Sequence, residues 1–155
     1  MSKTENKKTS ILIIYTGGTI GMVQSLQTGT LAPVKFDKIL DEVPELNKFN
    51  FNIKTIIFNP VLDSSNVGPS EWVKIARAIE KNYNSFDGFV ILHGTDTMAY
   101  TASALSFIFE NLDKPIILTG SQLPIGTLRT NGKENLITSL EIAAAKKNGK
   151  SMVPE

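Results

Sequence analysis

Ser10-Ile11-Leu12-Ile13-Ile14-Tyr15-Thr16-Gly17-Gly18-Thr19-Ile20-Gly21 is the stretch whose reading decides the fold. Its first half is a short, β-branched apolar run bounded by turn residues, the pattern of a strand buried on both faces of a parallel sheet. Two glycines directly after it let the backbone turn tightly with no side chain in the way. The turn delivers Thr19 beyond the carboxyl end of the strand, the edge at which open parallel sheets bind ligands. A hydroxyl carried there is a candidate nucleophile or ligand contact. Taken alone, Thr16 to Gly21 reads as an ordinary strand-to-loop turn that holds a threonine.

The signature recurs along the chain. Phe89-Val90-Ile91-Leu92 runs into His93-Gly94-Thr95-Asp96-Thr97-Met98, and Pro115-Ile116-Ile117-Leu118-Thr119 runs into Gly120-Ser121-Gln122. Phe51 to Phe58 alternates as a further strand and leads to the polar loop Asp63-Ser64-Ser65-Asn66. Helical patterns lie between these strands. Trp72, Ile75, Ala76, Ile79 and Tyr83 share one helix face, with Ser70 as the expected cap beside Pro69. Ala102, Leu105, Ile108 and Phe109 trace the apolar face of another helix. Asn131 to Lys147 forms the last, turning Leu136, Leu140, Ala143 and Ala144 inward and stopping at Asn148-Gly149. A short helix from Phe36 to Val43, ended by Pro44, is expected as well. Alternating strands and helices call for an α/β fold: a doubly wound, mostly parallel sheet with helices on both faces and polar loops collected at one edge.

Composition narrows the chemistry. A chain of 155 residues is one domain's worth, and 41% hydrophobic residues with 20% charged describe a globular protein. A formal net charge of +1 argues against a nucleic-acid or membrane-surface partner held by bulk charge. The absence of cysteine removes disulfides, thiolate zinc sites, iron–sulfur clusters and cysteine nucleophiles, and a single histidine, His93, rules out a histidine-rich metal site. Residues 1–9 read as a disordered polar tail, with no secretory leader, and residues 10–155 as the α/β domain. No run approaches the roughly 18 apolar residues of a spanning helix, so a cytoplasmic location is expected. Met22 to Pro33 reads as a loop with a small hairpin around Thr28-Gly29, placed where a lid would sit. Ser151-Met152-Val153-Pro154-Glu155 resembles the start of another strand, so more chain is expected beyond it.

The strand ends bring together Thr16 and Thr19, then Thr95, Asp96 and Thr97, then Thr119, Ser121 and Gln122, with Ser64 and Ser65 beside them. A neutral threonine is a poor nucleophile and needs a base, a lowered pKa or a positioned water for acyl chemistry. Asp96 is the nearest carboxylate in sequence to Thr95, but an ordinary carboxylate is a weak base that needs a relay or a cation beside it. Thr16-Gly17-Gly18-Thr19-Ile20-Gly21 with His93-Gly94-Thr95-Asp96-Thr97-Met98 resembles the bacterial L-asparaginase family, its cytoplasmic branch in particular. Asp63-Ser64-Ser65-Asn66 and Thr119-Gly120-Ser121-Gln122-Leu123-Pro124 match the same branch, four motifs in the right order between Ser10 and Glu155.

The resemblance implies an amidohydrolase that converts L-asparagine, a small-molecule substrate, into L-aspartate and ammonia, with no metal and no organic cofactor. It implies Thr19 as the nucleophile of an acyl-enzyme and Thr95 with Asp96 as a hydroxyl–carboxylate relay. Asp96, expected as a buried carboxylate, would also engage the substrate's α-ammonium, while Asp63, Ser64, Ser65 and Thr95 complete the substrate-binding set. A zwitterion fixed at its charged end holds its amide over the nucleophile, and backbone N–H groups of the glycine turns are candidate oxyanion donors. It further implies a relay lysine and a smaller C-terminal domain beyond Glu155, and a homo-oligomer at full length. One departure from the family pattern stands inside the chain: Gly29-Thr30-Leu31-Ala32-Pro33 carries no tyrosine where the family's loop has one.

Other residues have plainer readings. His93 beside glycine is expected to bond a backbone carbonyl; Tyr15 and Tyr100 are expected as partly buried packing residues. Lys146, Lys147 and Lys150 suit the carboxyl end of the last helix. Gly17, Gly18 and Gly21 miss the dinucleotide-binding spacing, and no glycine stretch ends in Gly-Lys-Ser/Thr. Two alternatives to the amidohydrolase remain: a non-catalytic amino-acid-binding module or inert fragment, and the asparaginase-like subunit of a transfer-RNA-dependent amidotransferase, against which the ten-residue polar start argues.

Overall fold

The structure is a computed structural model that describes residues 8–24, 31–33, 41–147 and 150–151. Its strands are β1 (Thr9–Gly17), β2 (Met22–Gln24), β3 (Leu31–Pro33), β4 (Phe51–Leu62), β5 (Gly88–Leu92), β6 (Ile116–Thr119), β7 (Lys146–Lys147) and β8 (Lys150–Ser151). The described α-helices of more than one turn are α1 (Pro69–Asn82), α2 (Met98–Ile108) and α3 (Gly132–Ala144). A four-stranded sheet has the order β4-β1-β5-β6, and its three pairings are all parallel.

The alternation inside β1 builds both halves of the core. Successive side chains of a strand point to opposite faces. Ile11, Ile13 and Tyr15 therefore pack with Val90 and Leu92 against Leu136, Leu140 and Ala143 of α3. Leu12 and Ile14 join Phe89 and Ile91 on the other face, against Ile75, Ala76 and Ile79 of α1 and Leu105 of α2. Residues Ile11 to Tyr15 are at most 2% exposed, which is why this run is apolar but for the Tyr15 hydroxyl. β4 lies at the sheet edge and its burial alternates, which is the pattern read in Phe51 to Phe58.

Parallel register lines up the strand ends. Tyr15 stands beside Leu92, and Leu92 beside Thr119, so the loops that follow β1, β5 and β6 leave at the same level. The pairing of β1 with β4 shifts between Tyr15 and Gly17, where the partner changes from Ile57 to Leu62. That shift brings the loop after β4 to the same edge.

Several local expectations change. Helix α1 is capped by Gly68, not Ser70: Pro69 takes the first helical position, where a missing N–H costs nothing. Gly68 N–H donates to Glu71 Oε2 at 3.1 Å and Ser70 Oγ to Glu71 Oε1 at 2.7 Å. Those donors, Ser70 first, hold the Glu71 carboxyl down at about 2. Tyr100 is 67% exposed and Ile108 44%, while Thr101 faces inward beside Leu105, which is buried as expected. Tyr15 is wholly buried. α3 stops at Ala144, and Lys146 reaches Asp87 Oδ1 at 2.9 Å from the β7 hairpin instead of serving the helix end. Strands β2 and β3 pair antiparallel around the expected hairpin, whose tip at Thr28-Gly29 lies outside the described residues, as do the polar tail's residues 1–7 and residues 36–40 of the helix expected over Phe36 to Val43. Among the described residues no helix is long and apolar enough to cross a membrane.

Candidate active site

Glycine contacts join the loops at the carboxyl edge of the sheet. Gly18 has φ +92°, and a Cβ there would lie 2.6 Å from Gly94 N and 2.7 Å from Gly94 Cα. A Cβ on Gly94 would in turn collide with the side chain of Ser64. The turns after β1 and β5 are thus stacked backbone on backbone, with the Ser64 side chain of the loop after β4 against Gly94, and any side chain at Gly18 or Gly94 would pry them apart.

Thr19 opens a 3₁₀ turn, Thr19–Gly21, directly after this contact. Its side chain is half-buried, and its hydroxyl has no hydrogen-bond partner among the described residues. Tyr15 braces the turn from below: its ring lies where a Cβ on Gly21 would sit, and its hydroxyl donates to Gly18 O at 3.2 Å. Burial pushes the phenol up to about 12, so it remains a neutral donor.

The polar residues of the other turns interlock. Asp63 caps the 3₁₀ turn Ser64–Asn66: its Oδ1 accepts from Ser65 N at 3.0 Å and from Ser65 Oγ at 2.8 Å. Hydrogen bonding to Ser65, hydroxyl before backbone, lowers the Asp63 carboxyl below its ordinary value. Ser64 is buried, and its Oγ donates to Asp96 Oδ2 at 2.7 Å. Thr97 Oγ1 donates to Ser64 O at 2.6 Å. Asp96 and Thr95 are exposed, so Asp96 is not the buried carboxylate expected. Thr95 Oγ1 accepts from Gln122 Nε2 at 3.0 Å, bringing the loop after β6 into the same cluster.

Three of the hydroxyls expected in this pocket are buried. Thr16 is 1% exposed, and its Oγ1 donates to Leu92 O at 2.9 Å, tying β1 to β5. Thr119 and Ser121 are buried, and Ser121 Oγ donates to Leu123 O within its own loop. Thr19, Ser64, Ser65, Thr95 and Asp96 remain at the edge, with Asp63 acting locally on Ser65. His93 is 1% exposed and does bond a carbonyl, Gly94 O, through Nδ1 at 2.7 Å. Its second partner, Thr101 Oγ1 at 3.0 Å, comes from α2 and has no local signal in the sequence. No group of three or more His, Asp and Glu side chains is placed to hold a metal ion among the described residues. Among the described residues the arrangement offers the unpaired hydroxyl of Thr19, the exposed carboxylate of Asp96 and the hydroxyls of Ser64, Ser65 and Thr95, a set suited to a small zwitterion.

Comparison with known proteins bears on the same residues. Residues 10–153 match a family model described as asparaginase, N-terminal. L-asparaginase 1 of Escherichia coli strain K12 is 49% identical over 139 residues, which cover 89% of this chain and 41% of that protein. The crystal structure of L-asparaginase I from Vibrio cholerae superposes with a TM-score of 0.79 at 44% identity, over 93% of this chain and 43% of that one. The thermostable L-asparaginase from Thermococcus kodakarensis gives a TM-score of 0.81 at 38% identity, over 92% and 42%. The chain therefore spans about two fifths of the length of the relatives it matches.

Proposed function

This chain belongs to the asparaginase family, over that family's N-terminal domain, and from this premise we propose that it carries the nucleophile and the substrate grip of an L-asparaginase. The observation that supports the reading best is the stacking of Gly18 on Gly94, which brings the turn of Thr19 against the turns of Ser64, Thr95 and Asp96.

In this reading Asp96 takes the α-ammonium of L-asparagine, and the loop of Ser64 and Ser65, set by Asp63, takes the α-carboxylate. The side-chain amide then lies over Thr19. Thr19 Oγ1 bonds to the amide carbon, the carbon–nitrogen bond breaks, and the nitrogen leaves as ammonia with the hydroxyl proton. Water attacks the resulting ester, returns a proton to Thr19 Oγ1 and frees L-aspartate. Thr95 and Asp96 assist proton movement. Thr95 Oγ1 already accepts from Gln122, so its own proton is available to donate toward the reacting groups. Backbone N–H groups of the Gly17–Gly18 turn face developing negative charge at the amide oxygen. A cytoplasmic homo-oligomer at full length completes the reading; the exposed Phe107 and Leu128, each 88% accessible, are apolar surface that subunit contact would cover.

The test is ammonia release from L-asparagine, with L-aspartate binding measured by calorimetry on the same protein. Thr19→Ala should lower release by several orders of magnitude, because it removes the attacking hydroxyl, and should leave L-aspartate affinity within about threefold. Full turnover without that hydroxyl would overturn the nucleophile assignment. L-aspartate binding with no ammonia release from the unsubstituted protein would favour a binding module instead.

A further inference from the structure

A buried polar chain runs behind the candidate site and takes no part in the chemistry above. Trp72 of α1, Thr101 of α2 and His93 at the end of β5 are joined in sequence: Trp72 Nε1 lies 3.1 Å from Thr101 Oγ1, and Thr101 Oγ1 lies 3.0 Å from His93 Nε2. His93 Nδ1 then meets Gly94 O at 2.7 Å.

The chemistry of the groups sets every proton in this chain. A carbonyl only accepts, so Nδ1 must carry the hydrogen. A neutral imidazole then has a bare Nε2, which accepts, so the Thr101 hydroxyl donates to it. An indole N–H only donates, so Trp72 supplies Thr101. All three side chains are satisfied with His93 neutral and with its proton on Nδ1. The other tautomer would set a bare Nδ1 against the carbonyl of Gly94, lone pair to lone pair.

Gly94 is the residue on which both Gly18 and Ser64 rest. The backbone N–H of His93 also donates to Thr119 O at 2.9 Å, so its main chain is fixed by the sheet while its ring is fixed by the two helices. We propose that His93, held as the Nδ1–H tautomer by Thr101 and Trp72, is a positioning residue that orients Gly94 and thereby the Thr95–Asp96 turn against Gly18 and Ser64. It touches no substrate. Its effect on ligand binding rests on the reading that Thr95 and Asp96 face the substrate; its effect on the turn does not.

His93 is the chain's single histidine, so its imidazole can be observed without assignment. In the full chain labelled with ¹⁵N-histidine, the neutral-pH spectrum should show one imidazole protonated at Nδ1 and bare at Nε2. An Nε2–H form, or a rapid average of both tautomers, would overturn the proposal. His93→Leu should move the amide resonances of Gly94, Thr95 and Asp96 while leaving those of Ile11 to Ile14 in place. It should also weaken L-aspartate binding by about tenfold, the size of effect expected from losing one buried hydrogen bond. His93→Asn keeps a short N–H donor near Gly94 O and should recover affinity to within about threefold of the unsubstituted chain. Should His93→Leu fail to fold, Thr101→Val, close in shape but without the hydroxyl, is expected to move the same three amides. A folded Leu or Val variant whose turn amides stay put would refute the positioning role. Turn amides that move in a protein which never binds L-aspartate would uphold that role and remove the substrate reading instead.

Discussion

Ser64 Oγ donates to Asp96 Oδ2 at 2.7 Å across a sequence separation of 32 residues. The hydroxyl proposed for an α-carboxylate and the carboxylate proposed for an α-ammonium are bonded to each other. An arriving zwitterion would give Asp96 a cationic donor in place of a neutral hydroxyl, the stronger kind of hydrogen bond, and Ser64 another carboxylate to donate to. The pair holds both turns in place until that exchange.

Ser64→Ala should therefore weaken L-aspartate binding by about tenfold or more, the loss of one charge-assisted hydrogen bond being worth roughly 1.5–3 kcal/mol. Asp96→Asn should weaken it further, since it removes the counter-charge itself. Calorimetry on both variants checks the order. Tighter binding by Ser64→Ala would show that the serine only competes for Asp96.

Gly18→Ala should destabilise the fold by about 2–4 kcal/mol, combining a left-handed backbone unsuited to alanine with overpacking against Gly94. Thermal unfolding measures the loss. Because a Cβ on Gly18 would strike the backbone of Gly94 itself, a contact between the two turns, the double variant with Gly94→Ala should depart from the sum of the singles. Strict additivity would mean that the two turns do not share that contact.

Much of this architecture is legible in the chain because it rests on short-range signals. Ile11 to Tyr15 can only be a strand buried on two faces, and the alternation of β4 marks a strand with one side exposed. The glycines of the two motifs also point to a close approach of backbones. The fate of individual hydroxyls is not legible in the same way. Thr16 bonds Leu92 O across 76 residues, a partner chosen by strand register, and nothing beside Thr16 in sequence distinguishes it from Thr19. Thr101 and Trp72 lie on helices whose apolar periodicity hides a polar contact. Ser70 is displaced as a cap because Pro69 starts the helix two residues earlier than a serine cap would allow.

Stability should fall on acidification through His93. Burial, the larger cause, lowers its imidazole below the ordinary 6.5, and the carbonyl of Gly94 opposes it only in part. Its ring nitrogens meet Gly94 O and Thr101 Oγ1, neither of them charged, and no ion pair involves it among the described residues. Below about pH 6.5 the unfolded chain binds a proton that the folded chain refuses, so stability drops until the folded imidazole also titrates, and is level below that. Denaturant unfolding of the unsubstituted chain and His93→Asn from pH 7.5 to 5 should show a falling difference between them over this window. A constant difference would mean that the imidazole titrates normally when folded.

Asp87 and Lys146 separate a surface ion pair from a structural acceptor. Asp87 Oδ1 accepts from Lys146 Nζ at 2.9 Å, while its Oδ2 accepts from Ser10 N at 2.8 Å and so secures the start of β1. The lysine is partly exposed, and exposed pairs of this kind contribute about 0–1 kcal/mol, less in high salt. Lys146→Ala should therefore cost under about 1 kcal/mol and lose even that in molar salt. Asp87→Ala strands a part-buried backbone N–H and should cost about 1–3 kcal/mol with little dependence on salt. Hydrogen exchange at the Ser10 amide distinguishes the two: it should quicken markedly in Asp87→Ala and barely in Lys146→Ala. Equal and salt-sensitive losses in both would show that the carboxylate matters only as the lysine's partner.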